Sequence, residues 1–153
     1  MSARKNITDF VCEVSFRVNR KFGKKRLFAK KYKFINRSVS APNLLIVLAG
    51  FQEYYWEGLS NRIKKAQRQF EEALDVCICI PLGGGDVSQL ESICSENQWS
   101  YLYISTDRLG MAQNTAIQLF PAAEWIYKID EDIVLCDNYF SLLKNGYIKS
   151  EKN

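Results

Sequence analysis

The continuous apolar run at residues 44–49 limits the folds open to this chain more than any other feature. Such a run, without polar alternation, is typical of a strand buried on both faces of a parallel sheet. Residues 75–81 form a second run of this kind, which Pro81 closes. Residues 99–105 and 125–135 also favour strands, because their apolar residues are mostly β-branched or aromatic. The chain therefore has four candidate strands.

The segments between these strands show helical spacing. The first has apolar residues three or four positions apart, at Trp56, Leu59, Ile63, Ala66 and Phe70. Similar spacing predicts helices near residues 87–94, 111–120 and 137–147. Alternating strands and helices predict an α/β fold, a three-layer sandwich with a mainly parallel sheet.

The length and composition indicate a single globular domain. The chain has 153 residues, of which 47% are hydrophobic, and this is enough for a substantial core. No apolar run approaches the length of a membrane span, and no apolar signal region follows the first residues. Five cysteines without a scaffold spacing indicate free thiols in a reducing compartment, so a cytoplasmic location is expected. The sequence has no histidine, which removes the commonest general base.

Charge divides the chain into two parts. Residues 1–40 contain 12 Lys or Arg and two acids, whereas residues 41–153 contain 9 Lys or Arg and 15 acids. The net charge of +4 therefore describes neither part. We interpret residues 1–42 as a basic, aromatic-containing N-terminal arm with a linker, and residues 43–153 as the α/β domain.

Three interpretations of the basic arm remain open. Between residues 14 and 40 its cations alternate with aromatic residues, including Phe16, Phe22 and Tyr32. This pattern suits an anionic membrane surface, so peripheral binding to the inner face of the membrane is one expectation. It also suits nucleic acid. The third interpretation is a basic segment whose aromatic residues pack on the domain.

Two acidic residues end the last predicted strand. In residues 125–135, side chains of a strand alternate, so Asp130 and Asp132 face one way and Glu131 faces the other. Paired carboxylates among apolar residues call for a positive charge, and a hard cation such as Mg²⁺ or Mn²⁺ is the usual one. The alternative is a solvated turn or a helix cap.

Three other strand ends carry candidate site residues. Ligands of parallel sheets bind beyond the carboxyl ends of the strands. Gly50 follows the first strand of the domain, and Asp86 follows three glycines after the second. These glycines lack the spacing of a dinucleotide or P-loop motif, and Asp86 is equally suited to capping the next helix. Arg108 follows the third strand, and its guanidinium matches phosphate oxygens, although a surface ion pair is the alternative.

The order of these features resembles the nucleotide-sugar-binding half of GT-A-type, family 2 glycosyltransferases. Residues 108–117 are similar to that family's Gly-x-x-x-(Ala)-Arg-Asn-x-(Gly/Ala) helix, with Asn114 in register and Gln113 where arginine is frequent. Residues 127–133 are similar to its Asp-x-Asp metal-binding signature. The resemblance covers residues 43–147.

The resemblance implies a set of site residues. Asp130 and Asp132 would hold Mg²⁺ or Mn²⁺ on the diphosphate of the donor, and Asp130 would also contact its ribose or sugar. Gly50, Glu53 and Asp86 would surround the base and ribose. The complete predicted nucleotide-sugar site is Gly50, Glu53, Asp86, Arg108, Asn114 and Asp130.

The implied activity is metal-dependent transfer of a sugar from a nucleotide-diphosphate donor to a glycan or lipid-linked acceptor. In the family the acceptor half follows the Asp-x-Asp strand, and only about twenty residues follow it here. The resemblance therefore implies that residues 43–153 are a partial nucleotide-sugar-binding α/β domain. The chain is expected to be a fragment, a truncated reading frame, or a subunit whose acceptor half a partner subunit supplies. The alternatives are an inactive remnant or nucleotide-binding module, and a nucleic-acid-binding protein that uses the basic arm.

Overall fold

The computed structural model describes residues 27–50, 53–81, 87–106 and 108–151, apart from the side chains of residues 53, 54 and 57. In chain order its elements are β1 (Tyr32–Ile35), β2 (Asn43–Leu48), α1 (Glu53–Gln69), β3 (Leu74–Ile80), α2 (Val87–Glu96), β4 (Ser100–Ile104), α3 (Leu109–Leu119), β5 (Trp125–Asp130) and α4 (Tyr139–Glu151). Among the helices described, none is both long and apolar enough to cross a bilayer.

The strands form one sheet in the order β1-β4-β3-β2-β5. Strand β2 pairs in parallel with β3 and with β5, β3 pairs in parallel with β4, and β1 pairs antiparallel with β4. Every residue of β2 is buried, as the uninterrupted apolar run requires of a central strand. The predicted α/β fold with a mainly parallel sheet is confirmed.

Helices cover both faces of the sheet and make three layers. Leu45 and Val47 of β2 belong to a core formed with α1, α2 and α4, where Trp56 is only 1% exposed. Leu44 and Ile46 belong to a second core, formed with α3. The alternation of side chains along β2 therefore supplies both cores, since successive residues of a strand face opposite ways.

The strand β1 was not predicted, and it lies inside the segment interpreted as a basic arm. It pairs with β4 along its whole length, and the ring of Phe34 packs edge-on against Phe120 at 5.8 Å between centroids. The following residues are tied to β3, because Asp75 accepts hydrogen bonds from the backbone N–H groups of Val39 and Ala41, both at 2.9 Å. Residues 32–41 are therefore part of the folded unit.

The thiols give a direct test of this core. Cys77, Cys79 and Cys94 are free and buried, whereas Cys136 is free and exposed. Burial raises the pKa of the Cys94 thiol to about 12, so it carries almost no reactive thiolate at pH 8.

We expect a thiol reagent to modify Cys136 at least about a hundredfold faster than Cys94, because Cys94 reacts only when the protein opens locally. Peptide mapping by mass spectrometry measures both rates in one sample. A Cys136→Ser variant is the control, and equal rates at the two thiols would contradict this packing. Cys12 lies outside the described residues.

Candidate functional site

The strand order creates a crevice between the ends of β2 and β5. Counted from β2, the parallel strands have the order third-second-first-fourth, so the direction of winding reverses between β2 and β5. Ligands of open α/β sheets bind at such a reversal, outside the carboxyl ends of the strands. Leu48 is in register with Asp130, and the N–H of Glu131 donates to the carbonyl of Leu48 at 3.2 Å. Gly50 and the acidic residues therefore meet at this point.

The predicted strand over residues 125–135 is too long, because β5 ends at Asp130 and a turn follows at residues 131–132. The exposure of the acidic residues nevertheless alternates. Asp130 and Asp132 are exposed, while Glu131 between them is buried. Asp130 is not a bare carboxylate, because its Oδ2 lies 2.9 Å from the ammonium of Lys128. This ion pair joins side chains that are 38% and 53% exposed, so it contributes at most about 1 kcal/mol.

Glu131 fixes the shape of the crevice. Its Oε1 accepts a hydrogen bond from the N–H of Gly50 at 3.1 Å, and its Oε2 accepts one from the indole N–H of Trp56 at 2.8 Å. One carboxylate thus ties together the end of β2, the start of α1 and the end of β5. A Cβ added at Gly50 would lie 3.3 Å from Glu131 Oε1, so glycine leaves room for this contact.

Glu131 was not among the predicted site residues, although its position in the sequence indicates that it is buried. Glu131 continues the two-residue spacing of Tyr127 and Ile129, which are both buried on the same face of the sheet. A carboxylate on a buried face requires hydrogen-bond donors from elsewhere in the fold. That reasoning predicts a structural carboxylate, but it does not identify Gly50 and Trp56 as the donors.

Two predicted residues cannot be placed by their side chains. Glu53 is the first residue of α1, beside the crevice, but its side chain lies outside the described atoms. Asp86 and the three glycines before it also lie outside the described residues. Their assignment to a base and ribose site remains a prediction.

Arg108 and Asn114 lie elsewhere on the molecule. Arg108 follows β4, which is three strands from β5, or about 14 Å at the usual spacing of strands. The Nδ2 of Asn114 donates to the carbonyl of Leu27 at 3.2 Å, which holds the segment before β1 against α3. The structure therefore brings Gly50, Asp130 and Asp132 together and leaves these two residues apart from them.

The predicted metal site at Asp130 and Asp132 would need ligands from outside the protein. Among the described residues, no group of three or more His, Cys, Asp or Glu side chains is placed to hold a metal. Two carboxylates alone are typical of Mg²⁺ sites in which substrate phosphates and waters supply the remaining oxygens. Asp130 and Asp132 therefore form no all-protein cage with other described residues, and their predicted role in holding Mg²⁺ or Mn²⁺ stays a prediction.

Comparison of the chain with family models, with curated proteins and with solved structures finds no match.

Proposed function

We propose that this protein binds a nucleotide-diphosphate sugar in the crevice between β2 and β5, as the donor-binding half of a metal-dependent, GT-A-type glycosyltransferase. The observation that carries the proposal is the position of the exposed Asp130 and Asp132 at the end of β5, next to the end of β2, where the strand order reverses. Carboxylates beside a loop that begins with glycine suit a ligand made of a divalent metal ion and a diphosphate.

The residues of the crevice have separate tasks in this proposal. Asp130 and Asp132 hold the divalent ion, which neutralises the diphosphate and stabilises it as a leaving group. Without a cation, a carboxylate and a phosphate charge 4 Å apart repel by about 4 kcal/mol at an effective dielectric constant of 20. Gly50 leaves space for the ligand, and Glu131 holds the Gly50 backbone in place through its 3.1 Å hydrogen bond.

The test is a calorimetric titration with uridine- and guanosine-diphosphate sugars, with and without Mn²⁺. We expect Mn²⁺ to increase the affinity of the wild-type protein, and Asp132→Ala to reduce the affinity in Mn²⁺ at least about tenfold. Glu124→Ala is the matched control, because Glu124 is an exposed acid at the opposite end of β5. Equal affinities of wild type and Asp132→Ala would remove the metal role.

Binding and transfer are separate claims, so they need separate assays. Release of free sugar, or transfer to glycan and lipid-linked acceptors, is measured with a radiolabelled donor. Metal-dependent binding without either reaction would identify a nucleotide-binding module in place of a transferase.

The Lys128–Asp130 ion pair leads to a further prediction. The ammonium competes with the metal for Asp130, so Lys128→Met should strengthen Mn²⁺ binding in the presence of uridine diphosphate. The gain is expected to be at most about fivefold, since an exposed ion pair contributes no more than about 1 kcal/mol. Electron paramagnetic resonance of free Mn²⁺ measures it. Weaker Mn²⁺ binding in Lys128→Met would show that the lysine supports the ligand.

A further inference from the structure

A second cleft, of about 580 Å³, lies beyond the carboxyl end of β4. Two segments that are distant in the chain form its walls: the residues just before β1, and those that join β4 to α3. Its lining residues are Phe28, Ala29, Lys30, Lys31, Ser105, Thr106, Arg108 and Met111. We call this site the basic cleft.

Hydrogen bonds hold the two walls of the basic cleft together. The N–H and the hydroxyl of Ser105 both donate to the carbonyl of Lys31, at 3.4 and 3.3 Å. The N–H of Ala29 donates to Thr115 Oγ1 at 2.9 Å, and Ala29 is buried. The cleft is therefore built into the fold before any ligand arrives.

The charge of the basic cleft is unbalanced. Lys30, Lys31 and Arg108 line it, and none of the described residues that line it is acidic; Asp107 lies outside the described residues. Within the described part of the chain, these three cations form no ion pair with an acidic side chain. Three positive charges with an arginine among them favour a phosphate dianion, since guanidinium hydrogen bonds match phosphate oxygens. The hydroxyl of Thr106 adds a polar group to the same wall.

The remaining lining is apolar. Phe28 is 39% exposed, and it lines the cleft together with Ala29 and Met111. The volume is within the range of small-molecule sites and is larger than a free phosphate needs. A ligand that fits both the basic and the apolar residues of the cleft carries a phosphate and a ring or another apolar group.

We propose that the basic cleft binds a small organic phosphate without a metal ion. It is separate from the acid pair, Asp130 and Asp132, because β3 and β2 lie between β4 and β5. The two sites also have opposite charges. The acid pair requires a metal cation before it can accept a phosphate, whereas the basic cleft carries the positive charges of Lys30, Lys31 and Arg108. The shared chemistry is a phosphate monoester, either on a soluble molecule or on a lipid headgroup.

The experiment uses phenyl phosphate and inorganic phosphate as probes, with EDTA present to exclude metal effects. The chain contains two methionines, and Met111 lines the cleft. Carbon-13 labelling of the methionine methyl groups, with Met111→Leu for assignment, reports binding at this place by NMR. We expect phenyl phosphate to shift the Met111 signal and to bind more tightly than inorganic phosphate.

Variants identify the groups responsible. Arg108→Gln is expected to weaken phenyl phosphate binding about tenfold, and the double variant Lys30→Gln, Lys31→Gln by a similar factor. Arg68→Gln is the matched control, because Arg68 is an exposed arginine on α1, which covers the other face of the sheet. Phe28→Ala should remove the preference for phenyl phosphate over inorganic phosphate.

Two results would overturn the proposal. One is an unchanged Met111 signal at millimolar phenyl phosphate, and the other is equal affinity of Arg108→Gln and Arg68→Gln. Asp132→Ala is expected to bind phenyl phosphate as the wild type does, so this test stands apart from that of the nucleotide-sugar site.

A competition arm identifies the source of the phosphate. Vesicles of phosphatidylcholine are compared with vesicles that also contain phosphatidic acid. Displacement of phenyl phosphate by the second kind alone assigns the site to a lipid headgroup. Absence of displacement assigns it to a soluble organic phosphate, and either result supports a phosphate site.

Discussion

Glu131→Ala is expected to lower the free energy of unfolding by about 3 kcal/mol, more than any change to the exposed acids beside it. The substitution removes the acceptor of two hydrogen bonds, from Gly50 N–H at 3.1 Å and from Trp56 Nε1 at 2.8 Å. Trp56 is 1% exposed, so water cannot easily replace the lost acceptor. Hydrogen bonds to a charged group contribute about 1.5–3 kcal/mol each, and loss of a buried partner costs a similar amount.

Asp132→Ala is the matched control for this prediction. It removes a carboxylate one position along the chain, on the exposed side of the same segment, and it should change stability by no more than about 0.5 kcal/mol. Urea unfolding followed by circular dichroism measures both variants. Similar losses in the two variants would show that the buried carboxylate has no special role.

A double-mutant cycle isolates the bond between Glu131 and the indole. Trp56→Phe keeps an aromatic ring and removes the N–H donor. In this background Glu131→Ala should cost about 2 kcal/mol less than in the wild type, because the hydrogen bond from the indole is already absent. Additive effects, within about 0.5 kcal/mol, would contradict the coupling.

The parts of the fold that local patterns determine were predictable. The strands β2 and β3 are apolar apart from Asn43 and Asp75 near their starts, and a strand with no polar face is stable only in the middle of a covered sheet. The exposure of Asp130 follows from the alternation of side chains along β5. Those predictions held because each depends on residues that are neighbours in the chain.

The parts that depend on contacts between distant segments were not predictable. Strand β1 is short and carries Lys33, and its pairing with β4 joins residues about seventy positions apart. The order of the strands across the sheet also cannot be predicted from any local pattern in the sequence. Arg108 and Asp130 both follow strands at the same edge of the sheet, yet two other strands separate β4 from β5. The residues that end or follow the strands therefore predict which edge of the sheet carries the site. They do not predict how far apart these residues lie along that edge.

Phe140→Ala is expected to lower the free energy of unfolding by about 3–5 kcal/mol and to loosen α4 from the domain. Phe140 is the buried residue of α4, at 1% exposure. Its ring lies 5.7 Å from that of Phe70 and 5.0 Å from that of Tyr127, so it joins α4 both to the segment after α1 and to β5. Alanine leaves a cavity among these rings.

Leu142→Ala is the matched control, because Leu142 lies on the same helix and is 61% exposed. It should change stability by no more than about 0.5 kcal/mol. Urea unfolding gives both values, and amide hydrogen exchange shows whether α4 opens before the sheet. In Phe140→Ala we expect faster exchange in α4 while β2 remains protected, since all six residues of β2 stay buried between its neighbours. Equal stability of the two variants would mean that α4 contributes little to the core, and that the ring contacts of Phe140 do not hold the helix on β5.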